Sequence, residues 1–328
     1  GIHFETGSIS GVTIGGTTVA DRNIISGNAG YGVSMLGVND IQLLGNYIGI
    51  GANGSSDVGN GNYGLLINTS TDVDVGNGLG AGRNIISGNQ PGGIYALNVD
   101  DVRVLDNFVG LSSDGVSGVG NGVTSNQHGM LFSAAINSLI DKNVVSDNKG
   151  VGILFYGGTS TNNTISNNIV GLNAAGDTAI FNLQSGVQIG NGNGTLSGFD
   201  ISDNVASAGS NAAMFLFVNT GSIDDVDILG NIIGLNASGD AKIAGTTTGI
   251  IINGVTNLRV GNGTLAGRNI ISGNTSHGVS VNDANTVSLR GNYIGVGADG
   301  STAFGNSGSG VQISDSTAVT IGGTTGTD

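Results

Sequence analysis

The stretch Arg22-Asn23-Ile24-Ile25-Ser26-Gly27-Asn28 decides the fold, because the chain repeats it. The same seven residues return at 83–89 and at 268–274, and a looser copy stands at 142–148. A second phrase, Gly45-Asn46-Tyr47-Ile48-Gly49, alternates with the first. Its relatives stand at 106–110, 167–171, 230–234 and 291–295. Such regular recurrence predicts a repeat architecture in which each unit packs against the next.

One asparagine precedes the apolar pair in each turn. These residues are Asn23, Asn46, Asn84, Asn107, Asn143, Asn168, Asn204, Asn231, Asn269 and Asn292. Equivalent asparagines recur about 61 residues apart, as from Asn23 to Asn84, so a superrepeat of about 61 residues holds two turns. Residues 1–328 are therefore predicted to form a single domain of about five superrepeats.

Each turn contains three short segments of alternating or paired apolar residues, for example 33–35, 40–43 and 47–48. Alternation with a period of two predicts β-strands. Three strands joined by corners cannot pair with one another, so each must pair with its equivalent in the next turn, about 4.8 Å away. The sequence thus predicts an all-β parallel solenoid of about eleven turns with three short strands per turn. The ten asparagines are predicted to stack as a hydrogen-bonded ladder at one corner.

Composition narrows the classes of function. The chain has 63 glycines, one proline, no cysteine and 38% hydrophobic residues, which excludes collagen, disordered linkers and disulfide scaffolds. No apolar run reaches the length that spans a bilayer, so no membrane insertion is expected. A formal charge of −14 repels phosphate backbones, so nucleic acid is not expected as a partner.

These phrases resemble the repeat of right-handed parallel β-helix proteins, the pectate-lyase-like architecture, over the whole chain. The run from Ile14-Gly15-Gly16-Thr17 through 22–28 to 45–49 looks most like the repeat tracts of large secreted bacterial surface proteins. The resemblance implies an extracellular or cell-surface location, with other copies or neighbouring domains of the same surface protein, or glycans, as partners. Because the last turn stops after Gly323-Thr324, before another Arg-Asn-Ile-Ile-Ser, and neither end has a polar cap, a segment of a longer array is expected.

The outward positions of the first strands form a column, here called column A. It reads His3, Ser34, Leu66, Tyr95, Leu131, Leu154, Gln188, Phe215, Ile251, Ser280 and Gln312. The candidate binding residues are its apolar members, Leu66, Tyr95, Leu131, Leu154, Phe215 and Ile251. An apolar stripe of this length needs a cover, either the five long loops at 52–61, 112–126, 173–185, 236–248 and 298–309 or another chain. Tyr95 and Phe215 could also stack on a sugar.

The second strands supply the candidate catalytic residues Asp200 and Asp227, which are predicted to lie one turn apart. Two carboxylates at that separation could act as a glycosidase pair. The alternative is an exposed charge ladder in which Arg259 neighbours Asp227. Catalysis otherwise has little support, because no histidine or cysteine cluster and no nucleophile motif accompanies the pair.

Asp40, Asp72 and Asp101 are the candidate metal ligands, since they should stack in three successive turns. Carboxylate oxygens suit calcium, although no cofactor is required for the fold. The alternative is that Asp and Asn occupy this column because their side chains bond nearby backbone at turns.

Two functions follow from these observations. The first is a non-catalytic structural or adhesive segment of an extracellular bacterial surface or matrix protein. The alternative is a carbohydrate-active enzyme, such as a polysaccharide lyase, hydrolase or epimerase, or a glycan-binding module. An aromatic-lined cleft around Tyr95 or Phe215 would favour the alternative.

Overall fold

The computed structural model describes residues 1–5 and 7–323 of the chain. Residue 6 and residues 324–328, including Thr324 of the terminal repeat, lie outside the described residues. The chain winds through successive turns of three strands, and each strand forms part of one of three faces. One 3-10 helix, Val19–Asp21, is the only helix within the described ranges.

The three faces are defined by their strands. The first face consists of Ile2–Phe4, Val33–Leu36, Leu65–Asn68, Ile94–Leu105, Met130–Ile136, Ile153–Tyr156, Val187–Asn191, Ala212–Val218, Thr248–Asn253, Val279–Asn282 and Val311–Ser314. The second face consists of Ser10–Gly15, Asn39–Leu44, Thr71–Val75, the end of Ile94–Leu105, Leu139–Asp141, Ser160–Thr161, Thr164–Ser166, Thr195–Ser202, Ser222–Leu229, Thr256–Val260, Asn285–Leu289 and Thr317–Ile321. The third face consists of Ile24–Ile25, Tyr47–Ile48, Ile85–Ile86, Phe108–Val109, Val144–Val145, Ile169–Val170, Val205–Ala206, Ile232–Ile233, Ile270–Ile271 and Tyr293–Ile294.

Every strand pairs in parallel with its equivalent one turn away, which confirms the predicted solenoid. Leu66 lies beside Tyr95, and Tyr95 lies beside Leu131. The first and second faces belong to one 22-stranded sheet, and the third face forms a 10-stranded sheet. The strand Ile94–Leu105 runs through the corner between two faces, where two separate strands were expected. The corner has the same left-handed positions in both turns, Asn98 and Asp101 here and Thr69 and Asp72 one turn earlier, so the chain bends alike whether or not the strand is continuous.

The interior is filled by the inward residues of all three faces. Phe132 and Phe155 stack with ring centroids 4.7 Å apart, and Phe199 packs edge-on against Phe155 at 5.0 Å. Each of these rings is almost completely buried. No helix in the described part of the chain is long and apolar enough to cross a membrane.

The predicted asparagines stack at the corner before the third face. The Nδ2 of each donates to the Oδ1 of the next, for example from Asn46 to Asn84 at 3.1 Å and from Asn107 to Asn143 at 3.1 Å. The remaining side-chain N–H donates to a backbone carbonyl of the turn below, as from Asn84 to the oxygen of Leu43 at 2.8 Å. The ladder therefore satisfies polar groups that the corner would otherwise bury without partners.

A second asparagine ladder, not predicted, follows the third face. It contains Asn28, Asn60, Asn89, Asn121, Asn148 and Asn182, and resumes at Asn274 and Asn306. Asn28 is the last residue of the repeated phrase 22–28, so the signal was present in the sequence. Between Asn182 and Asn274 the hydroxyls of Ser207 and Thr246 bond each other instead. As a result, Oδ1 of Asn274 is buried without a hydrogen-bond partner among the described residues.

The five long loops form a stack of their own. Each contains a tight turn with a left-handed glycine, and these turns bond each other across two turns of the helix. The N–H of Ala174 donates to the oxygen of Gly115 at 2.9 Å, and that of Ala237 donates to the oxygen of Gly176 at 2.8 Å. The loops pack on the outer side of the third face, where Phe108 and Val144 belong to one apolar cluster with loop residues such as Ile180.

Candidate binding face

Column A runs along the outside of the first face in the predicted register. Adjacent pairs include Leu131 with Leu154 and Phe215 with Ile251. Leu66 and Leu154 are 9% and 5% exposed, because their stacked neighbours cover them. Tyr95, Leu131, Phe215 and Ile251 retain partial exposure. The long loops pack over the third face, so they do not supply the cover expected for this stripe.

A parallel column, here called column B, lies two residues further along each first strand. It contains Leu36, Asn68, Leu97, Ser133, Tyr156, Gly190, Phe217, Asn253, Asn282 and Ser314. Sequence reasoning missed this column, although strand alternation places residues i and i+2 on one side of a sheet. Its most exposed large member is Tyr156, at 40%.

Aromatic rings form two groups on this face. Tyr63, at the entry to one first strand, contacts Tyr95 with centroids 5.3 Å apart. Burial raises the pKa of the Tyr63 phenol, and the neighbouring Tyr95 and Tyr31 raise it further. Phe217 stacks on Phe215 at 4.9 Å and lies 6.4 Å from Tyr156.

The second aromatic group depends on a glycine. Gly190 separates Tyr156 from Phe217 in column B, and the Phe217 ring leans into the space above it. A Cβ at Gly190 would lie 2.3 Å from that ring, so any larger residue would displace Phe217. The Phe217 ring therefore occupies the space that a side chain at position 190 would take.

The candidate catalytic carboxylates are adjacent in register, as predicted, but differ in surroundings. Asp200 lies beside Asp227, and Asp227 lies beside Arg259. Arg259 binds both carboxylate oxygens of Asp227, with one N–H to Oδ2 at 2.7 Å. The Oδ1 of Asp200 is buried and has no hydrogen-bond partner among the described residues. Burial raises the pKa of Asp203, and the neighbouring charge of Asp200 raises it further. This arrangement matches the charge-ladder alternative more closely than a free acid–base pair, since Arg259 occupies Asp227.

A similar arginine–aspartate cluster includes Asp72, one of the candidate metal ligands. Arg103 binds Asp74 at 2.5 Å through Nε and Asp72 at 3.0 Å through its terminal nitrogen. The Asp74 hydrogen bond is the main cause that raises the pKa of Arg103. Asp72 thus has a guanidinium partner.

The structure does not gather Asp40, Asp72 and Asp101 into a metal site. All three adopt the left-handed backbone conformation, with φ of 56°, 50° and 51°. Asparagine, aspartate and glycine tolerate this conformation best, which explains the column on backbone grounds. No group of three or more His, Cys, Asp or Glu side chains within residues 1–5 and 7–323 is placed to hold a metal ion. Calcium binding stays a prediction that this geometry does not support.

The cationic side chains of the repeated phrase have a structural role that its sequence did not reveal. Arg22, Arg83 and Arg268 each lie over the aromatic ring one turn later, at 4.0 to 4.1 Å from the centroids of Tyr47, Phe108 and Tyr293. Where the phrase has Lys142, the partner position is Ile169. These cations are therefore occupied and do not line the first face.

No protein-family model and no curated protein sequence matches the chain. Among solved structures, the chain is similar to DFA-IIIase from Arthrobacter chlorophenolicus A6 in complex with GF2, at 11% identity over 92% of this chain and 70% of that one, with a TM-score of 0.43. It is also similar to the A-module of the mannuronan C-5 epimerase AlgE4 of Azotobacter vinelandii, at 16% identity over 90% and 87%, with a TM-score of 0.40. Neither likeness bears on what this chain binds or does.

The assignment of the fold comes from the strands themselves. Equivalent residues pair in parallel from turn to turn on all three faces. Connections between parallel strands of one sheet are right-handed in almost all proteins. The chain is a right-handed parallel β-helix protein.

Proposed function

We propose that the chain is a non-catalytic, rigid segment of an extracellular bacterial surface or matrix protein, and that its first face is adhesive. One observation carries the proposal. From Leu66 to Ile251, columns A and B hold aliphatic, aromatic and amide side chains and no acidic or basic group. Such a surface can bind a partner, and it has no carboxylate, imidazole or cation: its only titratable groups are the phenols of Tyr95 and Tyr156, with no cation beside them in these columns to stabilise developing charge.

The rest of the molecule is consistent with a spacer. Stacked turns with two asparagine ladders give a stiff rod, in which each turn is held by its neighbours. The resemblance to the repeat tracts of secreted surface proteins supports a surface location, and the absence of cysteine and the low share of charged residues in the chain, 10%, are compatible with it. The partners would be further copies, neighbouring domains of the same protein, or glycans.

An activity assay tests the non-catalytic assignment. We expect no cleavage or epimerisation when the chain is incubated with a panel of acidic and neutral polysaccharides, including alginate, polygalacturonate and inulin. Reducing-end, unsaturated-product and NMR readouts cover hydrolysis, elimination and epimerisation. Turnover that disappears in both Asp200→Asn and Asp227→Asn would overturn the proposal, with Asp74→Asn as the matched control in the equivalent charge pair.

A glycan-binding module is the second candidate, and a specific observation favours it. Tyr63 and Tyr95 on one side, and Tyr156 with Phe217 on the other, offer rings on which sugar faces can stack. Affinity electrophoresis in gels containing neutral polysaccharides tests this function. Retardation by one polysaccharide that Tyr156→Ala removes and Tyr293→Ala preserves would support it.

A further inference from the structure

We infer that the adhesive face binds a second copy of this chain, packed face to face with the two rods antiparallel. The inference rests on the proposed function, because it names the partner of the face assigned there. The order of residues in the two columns and the area of the face support a second copy as the occupant.

Column A is symmetric in chemistry about Leu154 except at the nearest rung, where Leu131 corresponds to Gln188. One rung away on either side stand Leu131 and Gln188, and two rungs away stand Tyr95 and Phe215. Three rungs away stand two aliphatic residues, Leu66 and Ile251, followed by Ser34 and Ser280. The aromatic, outer aliphatic and hydroxyl positions therefore match when the column is read in either direction, and Leu131 corresponds to Gln188.

Column B has the same property about Tyr156, which lies on the same strand as Leu154. Its neighbours on either side are the small residues Ser133 and Gly190. Next come the large apolar residues Leu97 and Phe217, and then Asn68 and Asn253. Two adjacent columns thus share one centre.

A two-fold axis that runs along the strand Ile153–Tyr156, in the plane between two copies, brings these corresponding rungs opposite each other. Rotation about it reverses the rod and keeps each column opposite its own copy. Tyr95 then faces Phe215, and Asn68 faces Asn253, while Tyr156, which is exposed, faces its own copy beside the nearly buried Leu154. Contacts in which residue i meets j and j meets i define an isologous interface.

Charge determines how the association depends on salt. Each copy carries a formal charge of −14, while columns A and B from Leu66 to Ile251 carry none. Two copies therefore repel at long range but meet through neutral surfaces. Because salt screens that repulsion, association should strengthen as ionic strength rises, unlike an interface built on ion pairs.

Area sets the expected affinity. Six rungs separate Leu66 from Ile251, about 29 Å at the spacing of paired strands. With two columns and their flanks, the face buries about 500 Å² per copy, or about 1,000 Å² in total, near the lower limit of specific interfaces. The complex should therefore be a weak dimer that dissociates on dilution.

Sedimentation equilibrium over about 10 µM to 1 mM chain, the range in which weak complexes dissociate, measures the association. We expect a monomer–dimer equilibrium that tightens between 20 mM and 500 mM NaCl. Tyr156→Asp should weaken it at least tenfold, because Tyr156 is 40% exposed and faces its own copy across the axis. Gln42→Asp, an exposed position on the second face, is the matched charge control and should leave it unchanged. Thermal melts establish that both variants remain folded.

Cross-linking tests the axis, because the chain has no cysteine of its own. A short bismaleimide should link Tyr156→Cys to itself. Asn68→Cys and Asn253→Cys should each fail to self-link but should link in a mixture, since each faces the other. If both single variants self-link as readily as they cross-link, the assigned axis is wrong.

Two results would overturn the inference. One is a monomer at every concentration and salt tested. The other is binding of cellohexaose to the monomer that Tyr156→Asp abolishes, which would assign the face to a neutral glycan. The proposed function fails differently, through turnover of a polysaccharide, so the two failures are distinguishable.

Discussion

Buried asparagines hold neighbouring turns together through side-chain hydrogen bonds. Asn107 is fully buried, and its Oδ1 accepts the Nδ2 of Asn84 at 3.0 Å and the backbone N–H of Asn84 at 3.1 Å. Its own Nδ2 donates to the oxygen of Val75 in the preceding turn at 2.7 Å and to Oδ1 of Asn143 in the following turn at 3.1 Å. Each asparagine therefore connects three turns through one side chain.

Asn107→Ala should strongly destabilise the protein. The substitution leaves several buried donors and acceptors without partners, and each costs about 1–3 kcal/mol. We expect a loss of about 2–5 kcal/mol in the free energy of unfolding, measured by urea denaturation. Asn23→Ala at the exposed end of the same ladder is the control and should cost about 1 kcal/mol or less, because water replaces the lost bonds. Equal losses at the two sites would contradict the role of burial.

His128 gives the protein a pH-dependent stability. Its Nδ1 accepts the backbone N–H of Val151 at 3.0 Å, and burial lowers the pKa of His128 to about 4. Between pH 6.5 and 4 the unfolded chain takes up a proton at this residue that the folded chain excludes. Stability is therefore complete above about pH 6.5 and decreases towards pH 4, by at most about 3 kcal/mol.

The measurement is the free energy of unfolding of the wild type and His128→Gln from pH 7 to pH 4. The decrease across this window should be smaller in the variant, because Gln can accept the Val151 bond without titrating. Carboxylates contribute equally to both proteins, so their difference isolates the histidine. Parallel curves would contradict the assignment.

A left-handed glycine in each long loop determines how closely that loop packs against the next one. Gly176 has φ of 70°, and a Cβ there would lie 2.6 Å from the Cβ of Ala237 in the next loop. Gly115 and Gly239 occupy equivalent positions against Ala174 and Ala298. The loops therefore stack closely because a glycine of one receives the small side chain of the next.

Gly176→Ala should separate two of these loops. Its left-handed backbone alone costs about 1–2 kcal/mol, and the clash with Ala237 should add about 1–3 kcal/mol. Gly78→Ala is a matched control, because Gly78 has φ of 72° but nothing within 4 Å of an added Cβ. Urea denaturation compares the free energy of unfolding of the two variants. Limited proteolysis should show faster cleavage within 236–248 only in Gly176→Ala. Equal destabilisation would mean that the loop contact contributes nothing.

At the scale of the whole molecule, two arginine–aspartate clusters stand apart from columns A and B, which carry no charged residue between Leu66 and Ile251. Arg103 and Arg259 each bind two aspartates of the preceding turn, at 3.0 and 2.5 Å for Arg103. These clusters lie on the second face, away from columns A and B. The division separates a charged, solvated side of the rod from the side proposed to bind.

Chelation should leave the melting temperature unchanged. Asp72 already has Arg103 as its partner, and the left-handed backbone explains Asp40 and Asp101 without a cation. We expect the same melting temperature in 5 mM EDTA and in 5 mM CaCl2, by differential scanning calorimetry. A rise in calcium that Asp72→Asn removes would restore the site proposed from the sequence.

The sequence by itself determined the fold, the register and column A, because a repeat that stacks on itself places equivalent positions over one another. It also placed Asn46 over Asn84 and Asp200 beside Asp227. The partners of those side chains were decided only in three dimensions. Arg259 occupies Asp227, the loops cover the third face, and Phe217 fills the space above Gly190. These contacts depend on side-chain direction and on loops of unequal length, which join neighbours 23 to 41 residues apart in sequence.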